Sequence, residues 1–136
     1  MDISTIVHPG MQREEIFLVE EEHTAKHVGS GGSRVLATPW MIGYMERVAH
    51  HLLAELLPES YSSVGVLVNI RHLAPTPTGS QVRIRAEIMS IEGMKVGFEI
   101  AAWDEYEQIG SGTHERYIID TARFLKRVEN KITHLS

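Results

Sequence analysis

The chain has 136 residues, of which 43% are hydrophobic and 23% charged, with a formal net charge of −5 and no cysteine. This composition is typical of one soluble globular domain over residues 1–136, with 1–13 and 129–136 loosely ordered, and the acidic balance argues against nucleic acid as a partner. No apolar run approaches the roughly 20 residues of a membrane-spanning helix and no signal-peptide layout opens the chain, so we expect a cytoplasmic protein without membrane contact.

The first third of the chain predicts one short strand and a flexible loop. Residues 16–22 alternate in the manner of a strand, and residues 28–33 read V-G-S-G-G-S, which is typical of a loop. Because this loop directly precedes a helix start, it is either a lid over a substrate entrance or a plain surface connection. His23 and His27 have the spacing of a metal pair, but no third ligand is placed by spacing, so no metal site is predicted.

A long amphipathic helix follows the loop. Thr38 is a good residue type for the helix cap, and Pro39 suits the first helical position because its missing N–H costs nothing there. Apolar residues then recur at spacings of three and four until Pro58 ends the pattern. They are Met41, Ile42, Met45, Val48, Ala49, Leu52, Leu53 and Leu56.

The remainder of the chain predicts four strands and a carboxy-terminal tail. The strands cover residues 64–72, 82–88, 94–102 and 109–119, with a hairpin signal at Glu92-Gly93 and a tail from Thr121 to Ser136. A strand, one long helix and four further strands indicate an α+β fold in which the helix packs on one antiparallel sheet. Such a sheet leaves an edge strand unpaired, so edge-to-edge dimerisation is a natural completion of the structure.

Three polar residues stand where an ordinary apolar core would not need them: Thr38, Glu46 and His72. Glu46 lies on or beside the apolar stripe of the helix, and His72 continues the alternation of Val64, Val66, Val68 and Ile70 toward that helix. A carboxylate and an imidazole on facing elements are a common general-base pair, and a helix start can stabilise an oxyanion. Each residue also has a structural explanation: a helix cap, a carboxylate paired with an arginine, and a hydrogen-bonded core histidine.

Three segments carry a family resemblance. They are V-L-A-T-P-W-M-I-G-Y-M-E, G-V-L-V-N-I-R-H-L-A-P-T-P-T-G and I-G-S-G-T-H-E-R-Y-I-I-D, within about residues 35–120. Through them the chain resembles the hot-dog-fold acyl-coenzyme A thioesterases, most closely the fluoroacetyl-coenzyme A thioesterase branch. The resemblance implies a hot-dog fold, in which a five- or six-stranded antiparallel sheet wraps one long central helix, and homodimers with active sites at the subunit interface.

The resemblance also assigns roles to residues. It implies catalytic roles for Thr38, Glu46 and His72, and it places Gly65 beside the substrate carbonyl and Arg116 near the coenzyme A or the mouth of the site. Gly32 stands where the fluoroacetyl-selective enzyme carries a gating phenylalanine, so the fluoroacetate specificity is not carried over.

We therefore predict a thioesterase that hydrolyses an acyl-coenzyme A to the free acid and coenzyme A. It would need no cofactor and no metal, since coenzyme A is part of the substrate. The nucleophile is water, Thr38 or Glu46. The protein is expected to form a homodimer or a higher homo-oligomer. Two alternatives are a non-catalytic acyl-coenzyme A or small-ligand binding protein of the same fold and an enoyl-coenzyme A hydratase or dehydratase.

Overall fold

The computed structural model describes residues 1–135, and within them the chain forms one five-stranded sheet and three α-helices. In chain order these are β1 (Gln12–Leu18), α1 (Ala25–Val28), α2 (Thr38–Leu56), β2 (Tyr61–His72), β3 (Gln81–Glu92), β4 (Lys95–Trp103), β5 (Gln108–Asp120) and α3 (Thr121–Leu135). Short 3-10 helices cover Ile3–Thr5 and Glu21–His23. None of the described helices combines the length and apolar character that a bilayer crossing needs.

The sheet is antiparallel throughout, with the strand order β1-β3-β4-β5-β2. Its inner face packs on α2 because the apolar residues of β3 and β4 alternate with polar ones, which puts every second side chain into the core. The predicted α+β arrangement of one long helix and one antiparallel sheet is therefore confirmed. The fully buried side chains include Met41, Met45, Leu53, Ile84, Ile88, Phe98 and Ile100.

The start of α2 differs by one residue from the prediction. Ala37 occupies the cap position, Thr38 is the first helical residue and Pro39 follows it. Thr38 does not cap the helix because its hydroxyl is hydrogen-bonded to His72 instead. The hydroxyl of the first helical residue is thus hydrogen-bonded to a neighbouring strand and not to the helix backbone.

Strand β2 contains a bulge that changes which residues face the helix. Gly65 pairs with Arg116 and Leu67 pairs with Glu115, so Val66 is an extra residue between them. A bulge of one residue reverses the alternation, so Val64 and His72 lie on opposite faces of the sheet. The predicted single face running from Val64 through Val66 to His72 is wrong, although His72 itself does point toward α2.

The outer edge of the sheet is apolar. Strand β2 has β5 on one side and no neighbour among the described residues on the other. On it, Val66, Leu67 and Val68 remain 52%, 42% and 43% exposed. An unpaired strand edge that exposes aliphatic side chains is a template for pairing with another chain.

Both chain ends carry more structure than the sequence predicted. Ile3 and Val7 are buried in the core. Residues 121–135, predicted as a tail, form α3, because Leu125, Val128 and Ile132 recur at helical spacing among charged residues. Ser136 lies outside the described residues. The helix buries none of its residues within the chain.

Candidate active site

Thr38 and His72 meet at one end of a cleft between the start of α2 and the end of β2. The Thr38 Oγ1 atom lies 2.8 Å from His72 Nδ1. The cleft has a volume of about 440 Å³ and is lined by Ser30, Leu36, Leu73 and Pro75 as well as the pair itself. The sequence prediction that these two residues share a site is consistent with this contact.

The environment of the His72 imidazole favours its neutral form. Burial lowers the pKa of His72 below its ordinary value, and the backbone at Ala74 offsets part of that effect. The buried Nε2 atom has no hydrogen-bond partner among the described residues. When Nδ1 accepts the Thr38 hydroxyl proton, Nε2 carries the ring hydrogen, and a buried N–H without an acceptor costs free energy. In that tautomer, His72 Nε2 lacks a hydrogen-bond acceptor within residues 1–135.

Glu46 does not join Thr38 and His72 within the chain. It follows Thr38 by eight residues, which is about 12 Å along a helix. Its carboxylate instead lies 3.7 Å from the Arg116 guanidinium, on the inner face of β5. Within the chain, Thr38 and His72 thus lie together at the start of α2, and Glu46 lies apart from them beside Arg116.

Arg116 is the centre of a buried polar network. Its Nε donates to Ser63 Oγ at 2.9 Å, Nη2 donates to the Ser63 carbonyl at 3.1 Å, and Nη1 donates to His114 Nε2 at 3.2 Å. His114 Nδ1 in turn donates to the Leu67 carbonyl at 2.7 Å, beside the bulge. Arg116 is only 6% exposed, and burial lowers its pKa while the Glu46 carboxylate raises it. These hydrogen bonds hold the Arg116 guanidinium in place, with its Nη1 atom facing the Glu46 carboxylate.

Gly65 faces this network and leaves room for it. A Cβ atom at position 65 would stand 2.8 Å from Glu46 Oε2 and 3.2 Å from His114 Cε1. Any side chain would therefore displace the carboxylate or the imidazole. Within the chain, Gly65 thus lies beside Glu46 and Arg116 rather than beside Thr38, and its place beside the substrate carbonyl stays a prediction.

Ser63 and His114 were not predicted as site residues. His114, Arg116 and Ile118 alternate along β5, and that spacing alone would have placed the imidazole and the guanidinium on one face. Ser63 gave no signal, because only the pairing of β2 with β5 brings it to Arg116.

Gly32 lies in the exposed loop beside the cleft, where an added Cβ would meet nothing within 4 Å. The loop itself, V-G-S-G-G-S, contains no aromatic residue. This segment therefore cannot cover the cleft with a ring.

A group of metal-ligand type exists elsewhere, at Glu20, Glu22 and His23, whose ligand atoms all lie within 4.8 Å of one another. However, His23 Nδ1 already accepts hydrogen bonds from the Glu20 backbone N–H and the Tyr44 hydroxyl. The imidazole also packs against Trp40 and Tyr44. These contacts give His23 a structural role between β1 and α2.

Three histidines with lowered pKa values make the stability of the protein depend on pH. Burial lowers the pKa of His50, His72 and His114 from the ordinary 6.5. The unfolded chain then binds more protons than the folded one, so the free energy of unfolding falls as pH drops from about 6.5 through the lowered values. We expect urea denaturation to report lower stability at pH 5.5 than at pH 7.5. His114→Gln should flatten that dependence and His8→Gln, an exposed control, should not. Equal stability at both pH values would contradict this.

Comparison with known proteins identifies the family of the chain and agrees with its fold. A family model described as fluoroacetyl-CoA-specific thioesterase matches residues 19–122. A curated fluoroacetyl-CoA thioesterase from Streptantibioticus cattleyicolor is 37% identical over 97 residues, which are 71% of this chain and 70% of that protein. The solved structure of the fluoroacetyl-CoA thioesterase FlK matches with a TM-score of 0.85 at 31% identity, over 92% of this chain and 97% of its own.

A hot-dog-like protein from Thermanaerovibrio acidaminovorans matches with a TM-score of 0.89 at 26% identity, over 96% of this chain and 97% of its own. The predicted hot-dog fold is confirmed, with five strands among the described residues.

Proposed function

The chain belongs to the family of fluoroacetyl-CoA-specific thioesterases and is an acyl-coenzyme A thioesterase, and we propose that it uses Thr38 and His72 of one subunit with Glu46 of a second. The observation that carries the proposal is the hydrogen bond between Thr38 and His72 Nδ1, together with the buried His72 Nε2, which has no partner within residues 1–135. A hydroxyl, an imidazole and an acceptor for the second ring nitrogen form the logic of a hydrolytic triad.

A homodimer supplies the missing acceptor. The exposed aliphatic edge of β2 favours pairing with the same edge of a second copy, and such a pair is related by a twofold axis. Helix α2 packs behind this strand in each subunit, so the two helices come to lie side by side. The carboxylate of the partner subunit's Glu46 is then the proposed acceptor for His72 Nε2. A homodimer is accordingly part of the proposal.

The reaction proceeds in two steps in this proposal. In the first step, the Thr38 Oγ1 atom forms a bond to the thioester carbon while His72 Nδ1 takes the hydroxyl proton. The C–S bond then breaks, and the leaving thiolate takes that proton from His72. Water then attacks the acyl-threonine ester with His72 as base, which releases the free acid and restores the hydroxyl. No cofactor takes part, because coenzyme A belongs to the substrate.

The surroundings favour this chemistry. Thr38 stands at the amino-terminal end of the 19-residue helix α2, where the helix dipole is positive and stabilises a developing oxyanion. Because the pKa of His72 is lowered, this base stays neutral at a pH at which an ordinary histidine would already take up a proton. Arg116 lies 3.7 Å from the Glu46 carboxylate and orients it.

The substrate in this proposal is an acyl-coenzyme A without selection for fluorine. The relatives are named for fluoroacetyl-CoA. In this chain, however, Gly32 and its glycine-rich neighbours leave the cleft without an aromatic cover. Such an opening would admit small acyl groups without regard to the halogen. A cytoplasmic location stays a prediction from the sequence.

The test measures thiol release from acetyl-, fluoroacetyl-, propionyl- and phenylacetyl-coenzyme A by the purified protein. A matched pair of variants tests the nucleophile. Thr38→Ser keeps the hydroxyl, whereas Thr38→Val keeps the shape without it and should lose about 10²-fold or more in kcat. Full activity in Thr38→Val would exclude Thr38 and leave water or Glu46 as the nucleophile. Ligand-induced stabilisation without turnover would favour the binding protein, and hydration of an enoyl-coenzyme A without thiol release would favour the hydratase.

A further inference from the structure

A second cavity lies where α3 leaves the sheet, at the opposite end of β2 from His72. Its volume is about 510 Å³, and its walls include three aromatic rings and two guanidinium groups: Tyr61, Tyr117, Phe124, Arg123 and Arg127. Neither guanidinium takes part in an ion pair or a side-chain hydrogen bond within residues 1–135. Aromatic faces beside free guanidinium groups are suited to a flat heteroaromatic ring that carries phosphate.

The charge of α3 points to the same kind of ligand. The helix carries four cationic residues, Arg123, Lys126, Arg127 and Lys131, against one acidic residue, Glu129, although the chain as a whole has a net charge of −5. A basic helix on an acidic body concentrates an anionic ligand at one place. The nucleotide end of coenzyme A, with its adenine, diphosphate and 3′-phosphate, combines the ring and the charge that this cavity fits.

We propose that this cavity binds the nucleotide end of the coenzyme A whose thioester reacts at Thr38 and His72 of the partner subunit. The inference rests on the proposed function and its dimer. Within one chain the cavity and His72 are separated by the length of β2, which is about 36 Å for its 12 residues. One thioester molecule would have to run along the whole strand to join them.

Pairing of the two β2 edges removes this separation. The exposed aliphatic stretch Val66–Val68 is centred on Leu67. In a twofold antiparallel pair about Leu67, Tyr61 of one subunit lies opposite the partner's Leu73, the residue after the partner's His72. The cavity at Tyr61 then adjoins the partner's cleft, and Arg123 and Arg127 reach the phosphates while the pantetheine arm enters that cleft.

The test compares acyl-coenzyme A with the same acyl-pantetheine, which lacks the nucleotide. In the double variant Arg123→Gln, Arg127→Gln, the ratio of kcat/KM for acyl-coenzyme A to kcat/KM for acyl-pantetheine should fall about tenfold or more, as expected for lost charge-assisted bonds to phosphate. Lys126→Gln, on the same helix but outside the cavity wall, is the matched control. A ratio within twofold of wild type in the double variant would overturn the proposal.

Calorimetry with adenosine 3′,5′-bisphosphate gives a readout that does not depend on turnover. The wild type should bind it and the double variant should bind it about tenfold more weakly. If the wild type hydrolyses no thioester but this difference is found, the proposed function fails and the nucleotide site stands. If thioesters are hydrolysed but binding is equal in both proteins, only the nucleotide site fails.

Mixing two variants tests whether the site crosses between subunits. When the double variant is mixed with His72→Ala, a mixed dimer combines intact arginines from one subunit with an intact His72 from the other. The coenzyme A preference should then rise toward the wild-type ratio. A preference that stays as low as in the double variant alone would overturn the placement across the dimer.

Discussion

Replacing His72 with alanine is expected to lower kcat for thioester hydrolysis by about 10²- to 10⁴-fold. The reason is that His72 Nδ1 lies 2.8 Å from the Thr38 hydroxyl and is the base nearest to it in the cleft. Without the imidazole, the proton of the nucleophile has no acceptor. The measurement is thiol release under saturating substrate, with urea denaturation of the variant to establish that it remains folded.

A second histidine provides the control for this variant. His8 is exposed and has no part in the cleft, so His8→Ala should keep kcat within about twofold of wild type. A folded His72→Ala protein with wild-type turnover would remove His72 from the mechanism.

Mixing inactive variants separates a site within one chain from a site shared by two. His72→Ala and Glu46→Gln should each be impaired alone. In an equal mixture, half of the dimers are mixed, and each of these has one site with His72 from one subunit and Glu46 from the other, so about a quarter of the wild-type activity should return. No recovery would mean that Glu46 acts on the His72 of its own chain or not at all.

Among the site residues, the largest loss of stability is expected at Arg116. Arg116→Gln removes the donors to Ser63 and His114 and leaves the Glu46 carboxylate without its cation, so we expect roughly 2–3 kcal/mol less free energy of unfolding by urea denaturation. Activity should fall as well, because Glu46 loses the group that orients it. Arg116→Lys keeps the charge but not the forked donors, so it should recover only part of the stability.

Arg83 is the matched control for Arg116. It lies on the outer face of the sheet, over the Trp103 ring and 3.0 Å from Glu14. Because these contacts are exposed to solvent, Arg83→Gln should cost less than about 1 kcal/mol. If Arg116→Gln proved no less stable than Arg83→Gln, the network around Arg116 would not be the support that its hydrogen bonds indicate.

The regular elements were predictable because their periods are strong. The bounds of α2 follow from a stripe of apolar residues between Pro39 and Pro58, and β3 and β4 follow from strict alternation. Strand β1 was predicted too late in the chain because Glu20 and Glu22 resemble its alternating residues. Helix α3 was missed because five charged residues interrupt its apolar ones, and none of its apolar side chains is buried in this chain.

The candidate site was predictable only in part, for a related reason. Thr38 and His72 could be inferred to meet, since Thr38 begins α2 and His72 ends β2, and both elements have a strong sequence pattern. The environment of Glu46 depends on Ser63, His114 and Arg116, which reach it through strand pairings distant in sequence. Nor can one sequence reveal that an acceptor for His72 Nε2 has to come from another molecule.

The extra residue in β2 makes the length of this strand part of the chemistry. Gly65 and His72 are seven residues apart, and both face α2 because the bulge at Val66 takes up one of those residues. Deletion of Val66 would remove the bulge and leave the pairing of Leu67 with Glu115 unchanged, so Gly65 and His72 would still face α2. Loss of one residue between Leu67 and His72, with the bulge kept, would instead turn His72 toward the opposite face while Gly65 stayed in place. Evolution can therefore exchange side chains along β2 one at a time, but the loss of a single codon between Leu67 and His72 would separate the two halves of the site at once.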